Sequence, residues 1–254
     1  MQTSTSIAVD IGNSAIKLAL KTAEALNERS VVIEGDGWPE TVVRWVQSLV
    51  VEQDVIWRIA SVHAQATKKL TDHLHTITTA TNVHLVTWHD IPMKPEVDDP
   101  DRLGIDRLIT AYAASLHVEP PLIVVDAGSA ITVDWVGDDR RFHGGVILPG
   151  LAMQFRSLAV GTASLPQIDW LSCRPKFPAK NTKDAIFSGV LTGATAGIDR
   201  LIIDYCQRAK VSVETVPVVL TGGDAPFLSP HLRHNHERID NLVCRGLLRL
   251  QRSG

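Results

Sequence analysis

Asp10-Ile-Gly-Asn-Ser-Ala-Ile-Lys17 follows the apolar run Ser6-Ile-Ala-Val9, and 116 positions later Asp126-Ala-Gly-Ser-Ala-Ile-Thr-Val-Asp134 follows Leu122-Ile-Val-Val125. Each reads as a strand, a tight turn built from an acid and a glycine, and a second strand. The repetition predicts two related halves, each offering a carboxylate and backbone N–H groups. Gly12 and Gly128 carry no Cβ, so the chain turns sharply there and lets a ligand come close to the backbone. Asn13, Ser14, Ser129 and Ala130 are small and leave room for a phosphate. Asp10 and Asp126 end buried strands as hard oxygen ligands of the kind Mg²⁺ takes. Lys17, on the outgoing strand, offers a point charge to a phosphate oxygen. An acid-x-glycine turn is also a common hairpin connection, and either turn alone reads equally well as one. The repetition with matched flanks, together with Lys17, favours a shared cleft for a nucleotide and its Mg²⁺.

The 254 residues suit one large domain or two medium ones, and 44% hydrophobic residues are enough for a substantial core. A net charge of −3 without a basic stripe argues against a nucleic-acid partner. The N-terminus has no basic segment followed by an apolar core, and its first apolar run is too short for a signal or a membrane span. Cys173, Cys206 and Cys244 are scattered and odd in number, matching neither a disulfide framework nor a zinc site. A soluble cytoplasmic protein with no membrane partner is expected.

In the first half, 6–10 and 15–21 read as the opening hairpin and 30–34 as a third strand. A helix is expected at 39–50, a strand at 55–60, helix-like polarity over 65–78 and a short strand at 83–87. The proline-bearing loop 91–102 leads into a helix at 104–117. Glu119-Pro-Pro121 breaks the chain and marks the expected boundary between domains 1–118 and 119–254. The second half repeats the theme, with strands at 122–126, 130–136 and 141–148, then helices at 151–160 and 181–209. A buried strand runs through Pro217-Val-Val-Leu-Thr-Gly-Gly-Asp224, and a last helix is expected at 238–252. Hairpin first, then crossovers, twice over, is an α/β layered plan. It resembles two tandem actin/ribonuclease-H-like domains with a nucleotide cleft between them.

Leu103-Gly-Ile-Asp-Arg107 opens a helix. Asp106 reads either as a general base beside an anion-binding Arg107, or as an acid that only complements the helix dipole. Asn181-Thr182 reads as a helix cap. Thr221-Gly-Gly-Asp224 either approaches a nucleotide or turns the chain. His231, His234 and His236 cluster without cysteines or a spaced acidic partner and read as a solvated loop.

Together these pieces resemble the type III pantothenate kinases. The likeness rests on Asp10 to Lys17, Pro100-Asp-Arg-Leu-Gly-Ile-Asp-Arg107, Asp126 to Asp134 and Gly144-Gly-Val-Ile-Leu-Pro-Gly150. Ala163-Ser-Leu-Pro166, Asn181-Thr182 with Gly189, and Thr221-Gly-Gly-Asp224 complete it, in the family's order. The resemblance implies ATP-dependent phosphorylation of the hydroxyl of pantothenate, the first step toward coenzyme A. By that likeness Asp10, Gly12, Asn13, Ser14 and Lys17 hold the ATP phosphates, with Asp10 also serving Mg²⁺, and Ser129 contacts ATP. Asp126 matches a monovalent-cation position, taken by K⁺ or NH₄⁺. Asp106 is the implied proton acceptor. Gly104, Ile105, Asp106 and Arg107 line the pantothenate site, and Thr182 completes it from the neighbouring subunit of a homodimer.

One position departs from the family: Val97 stands where a substrate-touching tyrosine is usual, in the acidic stretch Glu96-Val-Asp-Asp99. Two alternatives stay open at this point. One is a non-catalytic regulatory or accessory homologue, and the other a kinase of the same fold acting on another small hydroxyl compound.

Overall fold

Both acid-glycine turns fold as the tips of antiparallel hairpins. The computed structural model describes residues 5–22, 25–50, 55–77 and 82–250. In it β1 (Ser6–Ile11) pairs with β2 (Ala15–Lys21), and β2 with β3 (Leu26–Val32), all antiparallel. The chain then crosses through α1 (Trp38–Leu49) to β4 (Ile56–Ser61), and through α2 (Ala64–His75) to β5 (Val83–Leu85). β4 lies parallel to β1, and β5 parallel to β4, giving the order β3-β2-β1-β4-β5. α3 (Ile105–Ser115) follows the proline-bearing loop.

The second sheet repeats this plan strand for strand. β6 (Leu122–Ala127), β7 (Ala130–Val136) and β8 (Phe142–Pro149) form the antiparallel meander. After α4 (Leu151–Gly161) and α5 (Thr182–Ala209), β9 (Val218–Thr221) adds parallel to β6. Past α6 (Ala225–Leu228), β10 (Glu237–Arg238) adds parallel to β9, so the order β8-β7-β6-β9-β10 matches the first sheet.

Side-chain alternation decides what covers each face. In the first sheet Ile7, Val9, Ile11, Ile16, Leu18 and Ile59 are buried with Val42 and Val46 of α1 and Leu70 and Leu74 of α2. Trp38 and Trp57 join that core. In the second, Val125, Ile131, Val133 and Leu220 pack with Phe155, Phe187, Leu191 and Ile198. Phe155 stacks between Phe187 and Trp170. The 28-residue α5 is long and apolar enough to cross a membrane, but 56% of its most apolar window is buried here, as befits a core helix.

Three expectations need correction. β3 begins at Leu26, not residue 30, because Leu-Asn-Glu-Arg-Ser pairs with β2 as an exposed edge and so shows no apolar run. The helix expected over 238–252 is instead β10 followed by the short α7 (Leu242–Leu247). Contacts divide the chain into the residues up to Leu116 plus those from Asn241 onward, and His117–Asp240. The expected 1–118 and 119–254 differ from this at their end, since α7 buries Leu242, Val243, Cys244, Gly246 and Leu247 against the first unit.

Candidate active site

In the first unit the turn after β1 is closed by Gly12 N–H donating to Ala15 O at 3.1 Å. A Cβ on Gly12 would stand 3.3 Å from that same oxygen, a tight contact. Asn13 and Ser14 are exposed at the tip, Asp10 is buried and Lys17 half-buried. Asp10 and Lys17 are direct register partners across the hairpin.

Asp106 lies in the first turn of α3, behind Gly104 as N-cap. Its Oδ1 accepts the Arg107 N–H at 2.9 Å, and a Cβ on Gly104 would sit 2.6 Å from that oxygen. Asp106 is half-buried, and the loss of solvent pushes its carboxyl up from the ordinary aspartate value. The Arg107 N–H and guanidinium and the Lys17 charge pull the other way without overcoming it. The Lys17 influence also places Asp106 and Lys17 in one electrostatic neighbourhood within this unit.

In the second unit Asp126 and Ser129 flank the corresponding turn, closed by Gly128 N–H to Ala130 O at 2.9 Å. Two further glycines abut it. A Cβ on Gly150 would stand 2.5 Å from Ser129 O, and one on Gly222, at φ +99°, would stand 2.5 Å from Asp126 Oδ1. Asp224 N–H donates to Ala127 O at 2.9 Å, so Thr221-Gly-Gly-Asp224 wraps the Asp126 turn. Thr182 is exposed as the first residue of α5, beside the N-cap Asn181, whose Oδ1 accepts Asp184 N–H at 2.9 Å. Val97 is half-buried in the loop before α3.

The profile of the type III pantothenate kinase family matches residues 6–204. The type III pantothenate kinase of Rhodopirellula baltica is 34% identical over 96% of this chain and 97% of its own length. The chain belongs to the type III pantothenate kinase family. Among solved structures, a Campylobacter jejuni protein described as a Baf family transcriptional activator superposes with TM-score 0.58 at 22% identity, over 96% of each chain. A Sinorhizobium meliloti protein described as a 2-dehydro-3-deoxygalactonokinase gives TM-score 0.54 at 16% identity, over 95% of this chain and 96% of its own. At these identities the likeness concerns the fold, that of tandem actin/hexokinase-like α/β domains.

Within this type III pantothenate kinase several residues around the turns had no sequence signal of their own. Gly222 lies in a stretch that reads as a turn, but nothing in the sequence makes Gly150 a neighbour of Ser129 or Gly222 a neighbour of Asp126. Cys244 is fully buried and its thiol donates to Lys17 O at 3.4 Å. Burial, then the Asp10 charge, pushes that thiol well above its usual range. The histidine cluster is also better anchored than a solvated loop. His234 Nδ1 lies 2.9 Å from the buried Asp199 of α5, and His236 Nε2 lies 2.7 Å from Ser229 Oγ. Among the described residues no group of three or more His, Cys, Asp or Glu is placed to hold a metal.

Proposed function

We propose that this kinase moves the γ-phosphoryl of ATP onto the hydroxyl of pantothenate, giving 4'-phosphopantothenate in the first step of coenzyme A biosynthesis. The observation that carries the mechanism is the half-buried Asp106 carboxyl, which accepts the Arg107 N–H beside Gly104 within the influence of Lys17. The hydroxyl oxygen attacks the γ-phosphorus, the bond to the β–γ bridging oxygen breaks, ADP leaves, and the hydroxyl proton passes to Asp106. Such a transfer depends on positioning and charge neutralisation more than on covalent help. A carboxylate of raised pKa is a better proton acceptor than an ordinary one.

In this reading Gly12, Asn13, Ser14 and Lys17 bind ATP phosphates, and Ser129 contacts ATP from the second acid-glycine turn. Gly104, Ile105 and Arg107 line the pantothenate site with Asp106. Mg²⁺ fits Asp10 as one carboxylate working with the nucleotide's phosphates, which is how that ion is commonly held when no protein cage exists. It would neutralise charge on the phosphoryl oxygens. A monovalent cation, K⁺ or NH₄⁺, suits Asp126, whose turn is hemmed by glycines and backbone oxygens.

The homodimer belongs to the same proposal. The second unit exposes Ile147, Met153, Val160 and Phe177, with Val160 78% and Phe177 71% exposed. Apolar side chains so exposed favour burial against a second copy, which would also give the exposed Thr182 its site. A cytoplasmic setting is part of the same proposal.

Asp106→Asn tests the mechanism. The variant should fold and bind ATP while losing turnover by about 10² or more. Near-normal turnover would remove Asp106 from the proton-accepting role.

A further inference from the structure

The closing helix α7 touches both parts of the first unit's site. Through Cys244 it meets the phosphate hairpin, where the thiol donates to Lys17 O. Through Gly246 it meets α3. A Cβ on Gly246 would stand 2.7 Å from Ile109 Cγ2, 3.1 Å from Ile109 O and 3.2 Å from Ala113 Cβ. Ile109 lies one helical turn after Asp106 on the same helix.

Six residues are too few to hold a helix in place without partners, so α7 depends on its ties. Buried Arg58 of β4 donates through Nη1 to Leu247 O at 3.1 Å and also to Leu250 O, fixing the helix's C-terminal end. At the other end Asn241 Nδ2 donates to Glu28 Oε1 at 3.1 Å, and Arg245 Nε lies 3.7 Å from the same oxygen. Close-packed interiors transmit small displacements instead of absorbing them.

We propose that α7 is a positioning element that sets the spacing between Lys17 and Asp106. Gly246 acts through Ile109 on Asp106, and Cys244 acts through the Lys17 carbonyl on the hairpin. The inference rests on the assignment of Lys17 to phosphate binding and of Asp106 to proton acceptance.

The test compares Gly246→Ala, Cys244→Ala, Cys244→Ser and Asp106→Asn in the full-length enzyme. Melting temperature, kcat, the KM of each substrate and the pH profile are measured for each. Gly246→Ala should fold, lose about tenfold or more in kcat through displacement of α3, and keep its ATP KM within about twofold. Its acid limb should move to lower pH, because looser packing admits water to the carboxyl. Adding Ile109→Leu, which removes the obstructing Cγ2 at equal volume, should restore most of the kcat. Cys244→Ala should raise the ATP KM severalfold and leave the acid limb in place, while Cys244→Ser keeps a donor and stays near the wild-type ATP KM.

A folded Gly246→Ala enzyme with wild-type kcat and pH profile would overturn the proposal, as would a loss that Ile109→Leu does not relieve. If Gly246→Ala does not fold, the Cys244 pair decides, since equal ATP KM values in its two variants also overturn it. Turnover retained in Asp106→Asn defeats the Asp106 assignment and this inference together. Turnover lost there but intact in Gly246→Ala defeats the inference alone.

Discussion

Asp10 on β1 and Lys17 on β2 stand directly opposite each other in the antiparallel register. Directly opposed residues share a face of the sheet, so the first turn presents its anion and its cation on the same side. The buried Cys244 thiol feels both charges, the acid raising its pKa and the lysine lowering it. The proposed Mg²⁺ acid and phosphate-binding cation therefore sit across from each other in one hairpin.

Lys17→Ala removes the cation opposite Asp10. We expect the ATP KM to rise by about tenfold or more, with the pantothenate KM much less affected. Asp10→Asn should instead shift the Mg²⁺ concentration needed for half-maximal rate upward. Titrating ATP and Mg²⁺ in the two variants separates these effects.

The raised Asp106 carboxyl gives a pH prediction in two parts. Activity needs the carboxylate, so the acid limb of kcat/KM should lie above the ordinary aspartate value of about 3.9. Stability runs the other way. A carboxyl whose folded pKa exceeds its unfolded value costs stability once pH passes the unfolded value, and the cost vanishes below it. Asp106→Asn should therefore melt at or above the wild-type temperature at neutral pH, and the two curves should meet at acid pH.

Gly222 combines a left-handed φ of +99° with a Cβ position against Ala127 O and Asp126 Oδ1. Gly222→Ala must displace the Asp126 turn or strain its own backbone. A loss of stability of about 1–3 kcal/mol and a weaker response of activity to K⁺ are expected. Thermal melts with and without K⁺, alongside rates, measure both.

Thr110 is buried in α3, and its Oγ1 has no hydrogen-bond partner among the described residues. Thr110→Val keeps the shape and removes the unsatisfied hydroxyl, so it should stabilise by up to about 1 kcal/mol. Chemical denaturation midpoints at unchanged slope give that difference.

What was legible in the chain is what is local. The two hairpins follow from apolar runs meeting at acid-glycine turns, and the Asn181 cap from a side chain acting three residues ahead. The helix starting beside Gly104 was visible for the same reason. What stayed hidden depends on partners distant in sequence. Nothing near Gly246 shows that Ile109 presses on it, and nothing near Gly222 points to Asp126. His234 looked unpartnered because Asp199 lies 35 positions away on α5. Asp106 reads two ways in the sequence, which shows that an acid opens a helix but not how much of it water reaches; the structure leaves it half-buried.

The central claim is tested most directly by measuring ADP release with ATP and Mg²⁺, with and without pantothenate, in K⁺ and in Na⁺, and weighing the product. Pantothenate-dependent turnover, faster in K⁺, and a product heavier than pantothenate by one phosphoryl group are expected. Folded enzyme that releases no ADP with pantothenate in either salt, yet phosphorylates another small hydroxyl compound or none, would contradict it.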